Sequence, residues 1–288
     1  MLEKLVEDIK VAENEHGIKI PRVFEIADSY VQDILEWVEN EACLDLAKLE
    51  ENLIYAGKKS EVYLALIKHY QKEIDRFDKE SRSIILDIYP SDDWRELLQS
   101  GYDATNLAGY LTLLQMDALT SLINIVKATS DAERIMLCKH AYTIIYEALE
   151  KNLYSIVSNN MRRFPERFID NDVYLDLWKG IRRLAKLLIK KKDAEIIRNT
   201  IDSHQRGSFS EQIDAYKKCD YGMSVKSMWA LTRIVDLIQN YIDLINKNIK
   251  VGFDECGKKR ENRTRMMEEI SRELKIDNDP GRILDDEI

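Results

Sequence analysis

Hydrophobic residues recur at helical spacing over most of the chain. One stripe with a 3.6-residue period runs from Val23 to Val38 and illustrates the pattern. We find no convincing run of the period-two alternation that is typical of half-buried strands. The sequence therefore predicts an all-α fold, a helical bundle of long antiparallel helices with a helical N-terminal region. The stripe consists of Val23, Ile26, Ala27, Tyr30, Ile34, Trp37 and Val38.

Helix ends in the first half are predicted from proline, glycine and capping residues. Pro21 suits the first turn of a helix that we expect to run to about Ala56, where Gly57 ends it. Ser60 is the expected N-cap of a second helix, which stops before Pro90. The other helices predicted in this half cover residues 91–101 and 103–128.

The second half shows the same kinds of signal. Ser130 and Glu133 have the spacing of a capping box, and the helix that follows is expected to reach about Ser158. Gly207 is expected to end a helix and Gly222 to interrupt one. The other predicted helices cover residues 171–191, 208–218 and 225–249, with a charged surface helix and a frayed tail from residue 252.

These elements suggest three parts. Residues 1–129 form a helical N-terminal region of unknown role, residues 130–250 a helical bundle, and residues 251–288 a charged C-terminal helix and tail. The role of the first part does not follow from its residues.

Composition narrows the class of protein. Only 10 Gly and 4 Pro occur in 288 residues, which leaves room for long helices. The four cysteines are far apart without a C-x-x-C pair, which argues against a zinc cluster and a secreted disulfide framework. The N-terminus lacks the pattern of a secretory signal, and the most apolar segment, 107–126, is interrupted by polar residues. We therefore expect a cytoplasmic protein with no membrane span, metal or other cofactor.

Charge is distributed unevenly along the chain. The net charge is -9, yet residues 160–206 contain twelve basic and seven acidic residues and so carry a net +5. Such a segment predicts a surface that binds phosphates, because Arg and Lys supply most sequence-independent affinity for nucleic acid. A solvated helix face is the alternative. The basic residues are Arg162, Arg163, Arg167, Lys179, Arg182, Arg183, Lys186, Lys190, Lys191, Lys192, Arg198 and Arg206.

Histidine is the side chain best suited to proton transfer near neutral pH, and the chain has four. His16 lies at a helix end, and His69 is expected to be a partly buried helix residue. His140 follows Arg134 by six residues, but a hydrophobic residue comes directly after that arginine. His204 follows Arg198 at the same interval, and here the arginine precedes the polar Asn199.

The segment from Arg198 to His204 resembles the motif of the HEPN superfamily, in which an arginine and a histidine are separated by four to six residues. The resemblance covers roughly residues 131–250 and implies a compact bundle of long antiparallel helices. It also implies a metal-independent endoribonuclease that leaves 2′,3′-cyclic phosphate and 5′-hydroxyl ends. In that role Arg198 and Asn199 bind the phosphate oxygens and His204 transfers protons. Arg182, Arg183, Lys186 and Arg206 are the expected substrate-binding residues.

Helical geometry bears on how such a site is assembled. Residues six apart on a straight α-helix lie about 120° apart around its axis, so Arg198 and His204 do not share a face. Either the helix loosens before Gly207, or two copies meet at a twofold axis. The resemblance implies a homodimer with RNA in a basic groove. It also suggests a toxin–antitoxin or anti-phage defence effector with an antitoxin or other regulatory protein as partner.

Two other classes of function compete with this interpretation. In a non-catalytic helical binding or scaffold protein, Arg198 would pair with Asp202 and His204 would stabilise a helix C-terminus. A metal-dependent helical hydrolase would need Glu-x-x-His motifs on two helices that face inward, and only one of the four histidines, His16, has a glutamate at that spacing.

Overall fold

The computed structural model of the protein describes residues 25–42, 45–80, 91–150, 153, 164–202 and 208–277. Within these ranges the chain forms eight α-helices and no β-strand, which confirms the predicted all-α helical bundle. The helices are α1 (Asp28–Asn40), α2 (Leu46–Glu80), α3 (Ser91–Lys127), α4 (Asp131–Glu150), α5 (Asn171–Leu184), α6 (Lys191–Ile197), α7 (Phe209–Tyr216) and α8 (Tyr221–Asp277).

The long helix α8 lies at the centre of the bundle. It packs against α1, α3, α4 and α5, while α2 lies along α3 and α6 packs on α4. Its inward positions recur every three or four residues, as expected for a helix with one buried face. They join a core that includes Leu111 and Ile145, from either side of residue 130. The most deeply buried apolar residues of α8 are Val225, Met228, Leu231, Ile234, Val235, Ile238, Ile242 and Ile245.

The end of α8 extends beyond this core. Among the side chains that the structure describes, Cys256 is the last buried one of the helix, and those from Lys258 onward are exposed. The predicted separate helix after residue 252 is therefore a continuation of α8, because the helix passes through Gly252 without a break.

Several glycines predicted to end helices lie inside them instead. Helix α2 passes through Gly57, and the Ser60 hydroxyl donates to the Gly57 carbonyl oxygen at 2.7 Å within the helix, so it does not act as an N-cap. Helix α3 continues through Gly101, and Gly222 lies in the first turn of α8. The predicted breaks at these positions were wrong.

Close packing explains two of these glycines. A Cβ atom at Gly101 would lie 2.5 Å from the Tyr70 ring, and one at Gly252 would lie 2.6 Å from Cδ2 of Leu97. Leu97 is only 1% exposed. At these positions the missing side chain lets another helix approach, and the helices continue because packing outweighs the low helix propensity of glycine.

Breaks occur at other places. The first predicted helix ends at Asn40, and Asp45 accepts a hydrogen bond from the Ala47 N–H at 3.0 Å where α2 begins. The helix predicted for 171–191 ends at Leu184 and is followed by a 3₁₀ turn, Ala185–Leu187. The predicted ends at Pro21, Pro90, Ser158 and Gly207 lie outside the described residues, as do the last eleven residues.

One predicted capping box and one predicted short helix agree with the observed contacts. The Ser130 hydroxyl accepts from the Glu133 N–H at 3.3 Å, and the Glu133 carboxylate accepts from the Thr129 N–H at 3.0 Å. The short helix predicted from Ser208 is α7, which begins with a complete capping box. Among the described helices, none combines the length and apolar content that a membrane crossing requires.

We predict opposite effects of alanine at two glycines within helices. Gly252→Ala should lower the free energy of unfolding by about 1–3 kcal/mol, because the new methyl group meets the buried Leu97 side chain. Gly57→Ala is the matched control, since nothing lies within 4 Å of its Cβ position. It should raise stability by up to about 1 kcal/mol. Urea unfolding measures both, and equal stabilisation would contradict the packing explanation.

Candidate functional site

The connection between α5 and α6 carries a dense group of positive charges. Residues 177–192 include seven basic residues and no acidic one. Five of them are exposed and have no ion-pair partner among the described residues. We call these five the basic surface. The basic surface consists of Arg182, Arg183, Lys186, Lys190 and Lys192.

Helix α5 is fixed at its beginning by backbone capping. The Asp170 carboxylate accepts hydrogen bonds from the N–H groups of Asp172 at 3.1 Å and Val173 at 3.0 Å. The buried side chains of Leu177 and Ile181 then hold the helix against the core, which leaves Arg182 and Arg183 exposed in its last turn. Positive charge also favours the C-terminal end of a helix, so these arginines have a structural role as well.

A buried serine holds the turn in the middle of the basic surface. The Ser227 hydroxyl accepts from the Ile189 N–H at 2.8 Å and donates to the Leu187 carbonyl oxygen at 3.0 Å. Both hydrophobic residues after this 3₁₀ turn, Leu188 and Ile189, are buried. The turn therefore interrupts the helix predicted for 171–191. Lys186 and Lys190 lie on either side of the backbone that Ser227 holds.

Part of the basic surface borders a groove of about 760 Å³ beside α8. Arg183 lines this groove together with Trp229, Arg233 and Asp236. Burial raises the pKa of the Asp236 carboxyl, which accepts a hydrogen bond from Gln115 at 2.6 Å and contacts Arg233 at 3.4 Å. The aspartate is thus held by its neighbours, and Arg183 is the member of the basic surface that lines this groove.

Helix α6 leads from the basic surface to the predicted catalytic arginine. Lys191 and Arg198 are seven residues apart, so they lie on the same face of α6 about 10 Å apart along its axis. From Arg198 to Asp202 the backbone is a π-helix, a wider turn that is frequent at functional sites. The helix therefore does loosen at the predicted arginine. His204 and Arg206 lie outside the described residues.

Arg198 is held by contacts with α4. Its Nη2 lies 3.5 Å from Oε1 of Glu147, and the centre of its guanidinium lies 5.1 Å from the centroid of the Tyr146 ring. Nη1 donates to the Asn199 Oδ1 at 3.3 Å, so the structure brings these two predicted residues together. Arg198 and Glu147 side chains are 32% and 36% exposed, and a long ion pair at that exposure contributes little stability. The guanidinium is oriented but remains accessible to an anion.

The other arginine–histidine pair is divided between two environments. Arg134 donates to Asp131 at 2.9 Å and lies 5.9 Å from the centroid of the Tyr221 ring, in a structural position. His140 is exposed on a different face of α4. The two side chains do not form one site.

The groove between α3 and α4, which His140 lines, was not predicted from the sequence. This groove has a volume of about 660 Å³. Glu147 lines the groove and also contacts Arg198. From α3 it receives Asp117, Ser121 and Asn124, which follow one another at helical spacing. Two of these polar residues appeared in the sequence only as interruptions of an apolar segment.

No group of three or more His, Cys, Asp or Glu side chains suited to a metal ion occurs among the described residues. Comparison with known proteins found no matching family model, no matching curated protein and no matching solved structure. Functional proposals for this chain therefore rest on its own residues.

We predict that Ser227→Ala loosens the α5–α6 connection. The substitution leaves the Ile189 N–H and the Leu187 carbonyl without their partner, which should lower the unfolding free energy by about 1–3 kcal/mol. Ser224→Ala is the control, because the Asp220 carbonyl that accepts from its hydroxyl also accepts from the Ser224 N–H at 3.0 Å. Amide hydrogen exchange at Ile189 should accelerate in Ser227→Ala only. Equal stability losses in both variants would contradict this role.

Proposed function

We propose that the chain is a metal-independent endoribonuclease of the HEPN type. The basic surface binds the RNA backbone, and Arg198, Asn199 and His204 act on one phosphate. The observation that carries the proposal is the basic surface itself, which has no ion-pair partner among the described residues and lies one short helix, α6, before Arg198 in the chain. Fixed positive charge of this kind attracts a polyanion without regard to its sequence.

The chemistry needs one base, one acid and stabilisation of charge on phosphorus. The ribose 2′-oxygen forms a bond to phosphorus as the bond to the 5′-oxygen breaks, which yields a 2′,3′-cyclic phosphate and a 5′-hydroxyl. A base removes the 2′-hydroxyl proton and an acid protonates the leaving 5′-oxygen. Arg198 offers a planar fork to the phosphate oxygens, and Asn199 contributes an amide beside it.

His204 of one chain serves as the base or the acid in this proposal, and the homodimer supplies the second histidine. The resemblance of the motif to the HEPN superfamily implies such sharing across a twofold axis, which is also the commonest symmetry of homo-oligomers. We propose a cytoplasmic toxin or defence effector controlled by an antitoxin-like protein as the biological setting. This part of the proposal rests on the resemblance of the motif to the HEPN superfamily.

The decisive test measures cleavage of mixed RNA by the purified protein in EDTA. We expect activity that persists in EDTA and falls at least about 100-fold in His204→Ala and in Arg198→Ala. The products should carry 5′-hydroxyl ends, which a polynucleotide kinase labels without prior phosphatase treatment. Equal background cleavage in wild type and both variants would remove the catalytic proposal.

A measurement of stability separates chemistry from folding in that test. Arg198→Ala removes one long, half-exposed ion pair and one cation–π contact, so it should change the unfolding free energy by about 1 kcal/mol or less. Thermal unfolding of the variant checks this. A loss of activity that accompanied a large loss of stability would not count in favour of a catalytic arginine.

RNA binding is tested separately in the His204→Ala background. Replacing Arg182, Arg183 and Lys186 together by alanine should weaken binding of single-stranded RNA and reduce the slope of log K against log salt by about 2. The matched control replaces Lys68, Lys72 and Lys79 on α2, which are also exposed and remove the same charge. Equal weakening by both triple variants would show that total charge, and not the basic surface, determines binding.

The second candidate function is a non-catalytic helical binding or scaffold protein. The observation that favours it is the position of Arg198, which is held by Glu147 and Tyr146 as a structural arginine would be. This candidate accounts for RNA binding without cleavage. It is supported if the basic surface binds RNA and EDTA-resistant cleavage is the same in wild type and His204→Ala.

A further inference from the structure

The groove between α3 and α4 contains a buried polar atom without a partner. Ser121 is 7% exposed, and its hydroxyl oxygen makes no hydrogen bond in the described part of the chain. A serine in a helix commonly donates to the carbonyl four residues earlier, and Ser121 does not. A buried hydroxyl without a partner costs free energy, so a ligand that supplies the missing hydrogen bond gains from it.

The walls of the groove combine an apolar floor with polar edges. Leu114, Leu137, Ile144 and Ala148 provide apolar surface, and Tyr110 adds an aromatic side chain. Ser121, Asn124 and His140 provide hydrogen-bonding groups, and the side chains of Asn124 and His140 make no hydrogen bond among the described residues. Small-molecule sites commonly have this composition, a mainly apolar lining with a few polar groups that fix orientation.

The negative charge of the groove disfavours an anionic ligand and favours a neutral one. Asp117 and Glu147 both line the groove, and they repel a phosphate inside it. A flat, neutral ring with hydrogen-bonding edges suits the apolar floor and the polar groups better. A nucleobase has that chemistry.

Arg198 contacts Glu147, which lines the groove, and so marks where the phosphate of a bound nucleotide would lie. Its guanidinium lies 3.5 Å from Glu147, which is seven residues and about 10 Å along α4 from His140. That interval is comparable with the span of a nucleotide from its phosphate to the far edge of its base. A phosphate at Arg198 therefore allows the attached base to reach the polar groups in the middle of the groove.

We propose that the α3–α4 groove is a nucleobase subsite, in which Ser121, Asn124 and His140 contact the base next to the phosphate held by Arg198. The proposal rests on the ribonuclease function above and adds the residues that determine which base is bound. These residues act by binding and take no part in proton transfer in this proposal.

Direct binding tests the subsite without any need for cleavage. Nucleoside 3′-monophosphates are titrated into the full chain by calorimetry, with inorganic phosphate as the probe that has no base. We expect a nucleotide to bind more tightly than phosphate, and each of Ser121→Ala, Asn124→Ala and His140→Ala to weaken nucleotide binding about tenfold. Affinity for inorganic phosphate should stay within about twofold in the same variants.

Two controls separate ligand binding from a structural effect. His69→Ala removes another exposed histidine, on α2 and outside the groove, and should leave nucleotide affinity unchanged. Ser121→Ala removes an unpartnered hydroxyl, so the melting temperature should not fall, unlike that of Ser227→Ala. A stable Ser121→Ala protein with weakened nucleotide binding supports the subsite.

The two proposals fail in different ways. If nucleotides bind no more tightly than phosphate, or if the three groove variants bind them as wild type does, the subsite is overturned even when RNA is cleaved in EDTA. If binding depends on Ser121 and His140 but no EDTA-resistant cleavage occurs, the subsite stands and the nuclease proposal falls.

Discussion

Burial of one face of α8 is the constraint on which the rest of the structure depends. Four other helices bury their apolar faces against this one, from Val225 near its beginning to Ile249. Burial of apolar area is the main favourable term in folding, and here it is concentrated along a single axis. The positions of α1, α3, α4 and α5 are set by where they meet α8, and α2 and α6 are placed in turn by α3 and α4.

Polar contacts then fix the places where the helices cannot supply regular hydrogen bonds. The Ser227 hydroxyl hydrogen-bonds two backbone groups in the α5–α6 turn. Just before α8, the Tyr30 hydroxyl donates to the Asp220 carboxylate and the Asp220 N–H donates to the Tyr142 hydroxyl. Burial raises the pKa of both tyrosines to about 12, so both hydroxyls stay protonated and keep these contacts at neutral pH. The candidate site sits on such irregular segments, where a rigid core holds an exposed turn.

The sequence predicted the type of structure well because helical periodicity reports burial directly. It failed at Gly57 and Gly101, where glycine was interpreted as a helix breaker, and at Gly252, where a separate helix was expected to begin. The same residue permits close approach of another helix, and only the identity of the neighbour, Tyr70 or Leu97, distinguishes the two uses. The capping box at Ser130 was predicted correctly because both partners lie within one turn.

Some features of the candidate site could likewise be predicted from the sequence, and others could not. The concentration of charge around residues 177–192 is visible in the sequence, since neighbours in the chain are neighbours on the surface. The partner of Arg198 is not visible, because Glu147 lies 51 residues away. The α3–α4 groove was missed because its polar residues come from two helices, and each helix alone shows only an apolar stripe with interruptions.

The C-terminal end of α8 shows how a folded core stabilises the part of a helix that extends beyond it. A free peptide of some twenty residues is a marginal helix in water, because starting the first turn is costly while extending an existing one is not. Residues beyond Cys256 avoid that initial cost, since the turns before them are already formed and buried. Gly257 has the lowest helix propensity in this extension, and a Cβ added there would meet nothing within 4 Å. Fraying from the C-terminal end is therefore expected to pass this glycine and to stop at the buried Cys256, which limits the unwinding of α8.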